Sequence, residues 1–379
     1  MKKIFVFVAV AVISLMCVNA QNNSAMTSSQ KITIQQFMKD YISSVDFIPL
    51  ETTDGSLLGD VLKVEYADNS YFILHEVGYD KMLARFDANG KFLGSIGTQG
   101  RAGNEYLNIN DFALSYDSRE VYIFDSYARV IVYGYDGKHH KTISIQDPTL
   151  KQLCPFLVDS KISKSGDVVL AFAPNHKLGV ECCLTTKNFD KAEVLSEGEL
   201  KMKHGAFINS RNSILVQGDN IYTLRPISTT IGVYNKGKRS SVCLDEDIQK
   251  DIAKIYKSCD TYEMFYEKHF TRPYLKTIFA MGKYNIATDI RQFYLWNDKG
   301  AAIVVDCSDS RVVYNYPVSP GVIKWCDDNK IIQVESAVII QNLSKDEDVN
   351  SSLRKQIKLQ CKGLKYDSNP VLVCYNLKK

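Results

Sequence analysis

Arg101, Asn104 and Glu105 belong to a glycine-rich stretch, Gly94-Ser95-Ile96-Gly97-Thr98-Gln99-Gly100-Arg101-Ala102-Gly103-Asn104-Glu105-Tyr106. Glycines of this kind can bring backbone N–H groups up to a phosphate. A phosphate loop would end in Gly-Lys-Ser/Thr and open a helix, and neither follows here. The stretch therefore reads as a tight turn that uses glycine's access to positive φ. Arg101, Asn104 and Glu105 then lie on a rim loop, where binding residues gather, and they are the candidate ligand contacts. No residue is assigned a catalytic, cofactor-binding or metal-binding role.

The remaining reactive side chains form no constellation. His139-His140 adjoins a hairpin turn, His75 ends a strand, and His269 stands beside a predicted helix. Neither Gly-x-Ser-x-Gly nor His-Glu-x-x-His occurs. Glu197/Glu199 and Asp245/Glu246/Asp247 are acidic pairs, but glycoside hydrolysis needs two carboxylates at a defined separation across a bond. Asp327-Asp328 reads as a turn, and Asp346-Glu347-Asp348 as the acidic first turn of a helix, where negative charge suits the dipole. No acidic run has EF-hand spacing, so no cofactor is implied and calcium has no motif to hold it.

Ten cysteines occur, nine of them after Ala20, so disulfide pairing would leave a thiol over. Without Cys-x-x-Cys or a His-Cys cluster, structural zinc is not expected. Cys154, Cys307, Cys326 and Cys374 sit in apolar segments read as strands, where they act as small buried hydrophobes. Cys182 and Cys183 would face opposite sides of a strand. The 22 tyrosines suit strands, and a group of them on one rim would make a sugar-binding platform.

The 379 residues, 45% hydrophobic, suffice for a large core, and a net charge of +3 is too mild to imply nucleic acid. Lys2-Lys3, the apolar run Ile4 to Met16 and Val18-Asn19-Ala20 have the form of a secretory signal peptide cleaved after Ala20. No later stretch is long and apolar enough to span a bilayer. The product is expected in the periplasm or at the cell surface, as a monomer.

Residues 45–379 must position whatever chemistry there is. Polar turns feed short apolar strands beginning at Tyr71, Val121, Val168, Ile221, Phe293 and Ile331, at separations of 50, 47, 53, 72 and 38 residues. Four-stranded units recur at about 40–50 residues. The long gap is explained by a helix over Asp245 to Ser258, capped by Asp245 and continued by an insertion to about residue 270. A second helical insertion is expected over Asp346 to Gln360, and a hairpin joining Ile303–Val305 to Val312–Tyr314. Residues 21–44 read as a separate N-terminal segment, loose as far as Gln30, with a short helix over Ile34 to Tyr41. Six units flanked by two unmatched strands, at Phe47 and at Val371, predict an all-β, six-bladed β-propeller with small helical insertions, closed by pairing those two strands.

The glycine-rich stretch and Arg85-Phe86-Asp87-Ala88-Asn89-Gly90-Lys91-Phe92 resemble the blade junction and turn of NHL-type repeats. With the export signal, the Phe47-Ile48-Pro49-Leu50-Glu51-Thr52 opening and the Asn369-Pro370-Val371-Leu372-Val373 ending, the chain resembles exported six-bladed propellers of Bacteroides-type bacteria. The resemblance implies a fold and an envelope location, and no catalytic residues. It departs from the lipoproteins among them at Met16, which stands where a small residue precedes the lipidated cysteine, so lipidation at Cys17 is not expected. The expected function is an exported binding or interaction module for a glycan or an envelope protein. The alternative is a hydrolase or lyase with a divalent metal in the axial channel.

Overall fold

The computed structural model describes residues 23–25, 30–173, 178–197, 211–225, 227–259, 264, 275–289, 292–296, 303–307 and 323–379. Six sheets form a ring of blades. Blade 1 holds β4 (Asp60–Ala67), β5 (Ser70–Val77), β6 (Asp80–Asp87) and β7 (Phe92–Ser95). Blade 2 holds β8 (Ile109–Ser115), β9 (Glu120–Asp125), β10 (Arg129–Gly134) and β11 (His139–Ser144). Blade 3 holds β12 (Leu157–Ile162), β13 (Val168–Phe172), β14 (Val180–Thr185) and β15 (Ala192–Glu197). Blade 4 holds β16 (Ile214–Gln217), β17 (Asn220–Leu224), β18 (Thr230–Asn235) and β19 (Lys238–Cys243). Blade 5 holds β20 (Thr277–Met281), β21 (Tyr284–Thr288), β22 (Gln292–Trp296) and β23 (Ile303–Asp306). Blade 6 holds β24 (Ile323–Cys326), β25 (Lys330–Glu335), β26 (Val371–Leu377) and, from the other end of the chain, β3 (Ile42–Pro49).

The predicted closure is present. β3 pairs antiparallel with β26, placing Phe47 opposite Val373, and Pro49 ends the edge strand where its missing N–H is harmless. The described parts of residues 21–44 add to the ring. β1 (Asn23–Ala25) runs parallel to β19 and β2 (Gln30–Thr33) runs parallel to β23, each as a fifth strand. α1 (Ile34–Tyr41), capped by the Thr33 hydroxyl, carries the chain from blade 5 to blade 6 and buries Ile34, Phe37 and Met38 between them.

Because side chains alternate across a strand, each blade offers apolar residues to both neighbours. Phe72 and Leu74 pack against Phe112 and Ile123 of blade 2, whereas Tyr71 and Ile73 pack against Trp325, Ile332 and Leu372 of blade 6. A separate apolar cluster fills each of the six gaps between blades. Cys182 and Cys183 enter different clusters, as their adjacency required, and all nine cysteines after Cys17 are free.

Four expectations need correction. Phe293 lies in the third strand of blade 5, and the second is β21. β23 has β22 on one edge and β2 on the other, so it has no edge left for a hairpin partner at 312–314, residues that lie outside those described. Asp346 to Asp348 form a turn rather than a helix start. The insertion consists of α4 (Ala337–Leu343) and α5 (Ser351–Gln360), the latter capped by Asn350. Cys154 follows α2 (Pro148–Leu153) and begins a short 3-10 turn, and Cys307 falls just past β23, so neither lies in a strand, though both are buried. The helix at residue 245 is α3 (Glu246–Lys257), and the Asp245 carboxylate accepts from the Ile248 N–H at 2.9 Å. The expected continuation over 262–270 falls outside the described residues, Met264 excepted.

Candidate functional site at the channel mouth

The first strand of each blade lies innermost, and β4, β8, β12, β16, β20 and β24 surround the axis. We call the upper rim the one that carries the blade-to-blade connections and the turns between second and third strands. A β-bulge interrupts four inner strands near their upper ends, between Val61 and Lys63, Ile109 and Asp111, Leu157 and Asp159, and Ile323 and Trp325. A bulge re-aims the side chains beside it. Here it turns charged residues of successive blades toward one another.

Lys63 is the centre of this arrangement. Its ammonium is fully buried and donates to Asp111 Oδ2 at 2.8 Å, Asp159 Oδ1 at 2.9 Å, and the carbonyls of Phe112 and Ser160 at 3.0 Å. Asp111 also accepts from Arg211 Nη1 at 2.9 Å and from the Ser160 hydroxyl at 2.7 Å. Asp159 Oδ2 accepts the backbone N–H groups of Ser213 and Ile214 at 2.7 and 2.9 Å. Below them Glu65 pairs with Lys161. Burial alone would lower the Lys63 pKa, but Asp111, Asp159 and Glu65 overcome it and raise it. Burial would likewise raise Asp159, and Lys63 with Lys161 holds it below the ordinary carboxylate range. The network joins blades 1, 2, 3 and 4, and its carboxylates are fully engaged. Among the described residues, no three His, Cys, Asp or Glu side chains stand together as metal ligands.

Above the network, the upper ends of the blades carry three further cations. The Arg211 guanidinium, fixed by Asp111 and the Asn110 carbonyl, is mostly buried. Lys324 is the bulge residue of β24, and Lys81 stands in the cross-strand row Asp60, Glu76, Lys81 of blade 1. Both lysines are half-buried, and neither ammonium has an ion-pair or hydrogen-bond partner among the described residues. Burial, and then the Arg211 charge, pull both below the usual lysine value; Asp60 opposes this at Lys324, and Glu76 and Asp111 oppose it at Lys81.

Arg101, Asn104 and Glu105 lie on the upper rim, in the connection from blade 1 to blade 2. Arg101 is exposed. The Asn104 carbonyl accepts from the Tyr133 hydroxyl at 2.6 Å, and the Gly103 carbonyl from Thr142 at 2.7 Å, so the loop lies over the outer strands of blade 2. The Glu105 carboxylate accepts from the Ala102 N–H at 2.8 Å and closes the loop on itself. Gly97 has φ +75° and abuts the Tyr133 ring, so the glycine there is conformational and steric. Gly90, in the turn that resembles the repeat signature, has φ +84°, and a Cβ there would strike the Pro49 carbonyl at the closure.

His139 and His140 are exposed on β11, His140 beside Glu120, and His269 lies outside the described residues. His75 is buried beneath the upper rim and accepts the Gly59 N–H at 3.2 Å, and burial pushes its pKa down to about 4. Among the described residues, three tyrosines are exposed on the upper rim, Tyr79, Tyr127 and, in the connection from β25 to β26, Tyr366. Tyr79 and Tyr127, 95% and 69% exposed, occupy equivalent turns of blades 1 and 2. Leu57, Val77, Leu178, Val338 and Ile339 are exposed on connections of the same rim. A cleft of about 510 Å³ opens on the same rim, between residues 49–57 and 362–368. Asn369 ties its floor together through bonds to the Glu51 and Ser56 carbonyls and the Leu58 N–H.

The sequence reading missed Lys63, Asp111, Asp159, Arg211, Lys81 and Lys324. A detectable signal was present for three of them, a charged residue near the start of the first strand in three successive units: Asp60-Val61-Leu62-Lys63, Ile109-Asn110-Asp111 and Leu157-Val158-Asp159.

Comparison with known proteins agrees with this architecture. A candidate exported protein of Bacteroides fragilis has a similar structure, with a TM-score of 0.67 at 13% identity over 94% of this chain and 100% of that one. A member of the DUF4221 family from Bacteroides vulgatus is similar with a TM-score of 0.52 at 9% identity, over 89% and 98%. At these identities the likeness concerns the fold. No curated protein matches the chain. No helix among the described residues is long and apolar enough to cross a membrane. The model of one family, the domain of unknown function DUF4934, matches residues 19–376, all of the propeller but the last residue of β26, and the chain belongs to the DUF4934 family.

Proposed function

We propose that this protein is an exported binding propeller of the bacterial envelope, that its upper rim is the binding face, and that its ligand is a glycan. The observation that carries the reading is the placement of Tyr79 and Tyr127 at equivalent turns of adjacent blades, both standing clear of the body. Exposed aromatic faces of this kind suit the apolar faces of sugar rings, and ligands favour loops held by a rigid scaffold. The similarity to a candidate exported protein and the form of the first twenty residues support the envelope location. Cleavage after Ala20 and a monomeric state belong to the same reading, as do contacts from Arg101, Asn104 and Glu105 at the rim's edge.

The alternative, a hydrolase or lyase using a divalent ion in the channel, would need carboxylates free to take the ion. Asp111 and Asp159 are occupied by Lys63, Arg211 and backbone N–H groups. The test is a thermal-shift panel of neutral and acidic oligosaccharides on residues 21–379, with Tyr79→Ser/Tyr127→Ser beside the parent. A ligand bound only by the folded form raises the midpoint by mass action. The reading expects a shift with at least one glycan that the double variant loses. Absence of any shift, or a shift that the double variant keeps, overturns it.

A further inference from the structure

We propose that the cleft between residues 49–57 and 362–368 is the hydroxyl-recognising end of the glycan site, and that the glycan it takes is a neutral saccharide. The inference rests on the glycan reading and names the chemical class of the glycan and the part of the rim that grips it.

The cleft is a built cavity. Its volume of about 510 Å³ falls in the range of small-molecule sites, about 300–1,000 Å³. One wall is the connection from β3 to β4, which hydrogen bonds fix to blade 1 and to the entry of β26. The Glu51 N–H donates to the Gly90 carbonyl at 2.8 Å, and Glu51 Oε2 accepts the Phe92 N–H at 2.8 Å. Thr52 Oγ1 accepts the Asn369 N–H at 2.9 Å. The buried Ser56 hydroxyl donates to the Glu51 carbonyl and accepts the Thr53 N–H, both at 2.8 Å. The other wall follows α5, and there Ser368 Oγ accepts the Lys365 N–H at 2.9 Å. Walls held in this way lose little freedom when a ligand enters.

The side chains left over set the ligand. Asp54 on the first wall, and Lys362, Lys365 and Asp367 on the second, line the cleft, and among the described residues none of these side chains has an ion pair or a hydrogen bond. A carboxylate only accepts and an ammonium only donates, whereas a sugar hydroxyl does both. A set of both signs around one cleft therefore suits an uncharged polyol. An acidic saccharide would face Glu51, Asp54 and Asp367, and like charges set against one another are disfavoured.

The cleft continues into the aromatic part of the rim. Gly59, two residues past Leu57, lies against blade 1. Its N–H donates to His75 Nδ1 at 3.2 Å, and a Cβ there would stand 1.9 Å from the Glu76 carbonyl oxygen and 2.9 Å from Val77 Cγ2. Tyr79 follows two residues after Val77. Leu57, Val77 and Tyr79 are 54%, 50% and 95% exposed, so an apolar strip leads from the cleft to the Tyr79 ring. On the second wall Tyr366, between Lys365 and Asp367, is held by the Lys345 ammonium, which donates to its hydroxyl at 2.8 Å. A saccharide stacked on Tyr79 would lay one end in the cleft, with Asp54 and Asp367 accepting from its hydroxyls.

The test is isothermal titration of residues 21–379 with cellohexaose, mannohexaose, xylohexaose, the matching disaccharides and digalacturonate, using the parent, Asp54→Asn/Asp367→Asn and Tyr79→Ser/Tyr127→Ser. We expect at least one neutral hexasaccharide to bind, and to bind at least about tenfold more weakly in each double variant. Its disaccharide, which fits the cleft alone, should weaken in the aspartate variant and keep its affinity in the tyrosine variant. Both aspartates are exposed and unpaired, so the aspartate variant should melt with the parent. Hexasaccharide binding that the aspartate variant keeps overturns the proposal; if the tyrosine variant loses it, the rim reading still stands. Binding of digalacturonate alone overturns the neutral class and leaves the glycan reading in place. Binding lost in the aspartate variant but kept in the tyrosine variant supports the cleft and removes the Tyr79–Tyr127 platform. Absence of binding by every saccharide overturns both.

Discussion

Replacing Lys63 by Met should destabilise the propeller far more than an ordinary lysine substitution. Its ammonium is 0% exposed and donates to two carboxylates and two carbonyls within 3.0 Å. At an effective dielectric of about 20, a pair of charges at that separation attracts by roughly 6 kcal/mol, against a desolvation cost of several kcal/mol per ion. The net worth of the intact network is therefore small. Removing one partner is another matter, because the remaining charges stay buried, and breaking a buried pair costs about 3–5 kcal/mol. Asp111 keeps Arg211 and Ser160, and Asp159 keeps two backbone N–H donors, which places the expected loss near 3 kcal/mol, the lower end of that range. Urea unfolding at pH 7, followed by circular dichroism, measures it. Lys63→Met/Asp159→Asn should recover part of the loss, with a coupling of about 2 kcal/mol in a double-mutant cycle. A loss under about 1 kcal/mol in Lys63→Met, or simple additivity in the cycle, would refute the view that the network depends on its central cation.

Other outcomes follow from the same structure. Asp159 has a depressed folded pKa, so its stabilisation is complete above the unfolded value of about 3.9 and is lost as pH falls further; Asp159→Asn should flatten the acid limb of the stability curve. His75 is depressed to about 4 by burial, so its contribution is complete above about 6.5 and fades as pH falls toward 4; the parent should lose about 2–3 kcal/mol more than His75→Asn between pH 7.5 and 4.5 in equilibrium unfolding. Gly97→Ala, which combines positive φ with a contact to the Tyr133 ring, should lower stability by about 1–3 kcal/mol in the same assay. All nine cysteines after Cys17 should titrate as thiols in denaturant, and in the native protein Cys243 and Cys259, the two that are not buried, should react first with an alkylating agent detected by mass spectrometry.

The ring itself was legible in the sequence because second strands are the most buried and read as unbroken apolar runs, as in Tyr71-Phe72-Ile73-Leu74 and Val121-Tyr122-Ile123-Phe124. The fifth unit misled for the same reason. Its second strand, Tyr-Asn-Ile-Ala-Thr, is more polar than its third, Gln-Phe-Tyr-Leu-Trp, so the apolar run marks the wrong one. β1 and β2 were illegible because Asn-Ser-Ala and Gln-Lys-Ile-Thr are short and mostly polar; both pair through the backbone on an outer edge, and β2 adds only Ile32 to the apolar cluster. The channel mouth was hidden differently. A lysine in Asp60-Val-Leu-Lys-Val-Glu reads as the water side of an alternating strand. On an inner strand that polar side turns toward the axis, and the bulge that aims Lys63 there depends on pairing with β5, not on a residue type.

The early strands also determine an order of events. A chain delivered from its N-terminus presents β1, β2 and β3 first, yet β1 completes blade 4, β2 blade 5 and β3 blade 6, and β26 is the last strand to arrive. β1 must therefore wait unpaired for about 210 residues, β2 for about 270 and β3 for about 320. Their polarity is an advantage during that wait. Asn-Ser-Ala, Gln-Lys-Ile-Thr and the Ser-Ser of β3 are poor templates for pairing with another chain, whereas a more hydrophobic leading segment would offer each emerging copy an edge on which to aggregate.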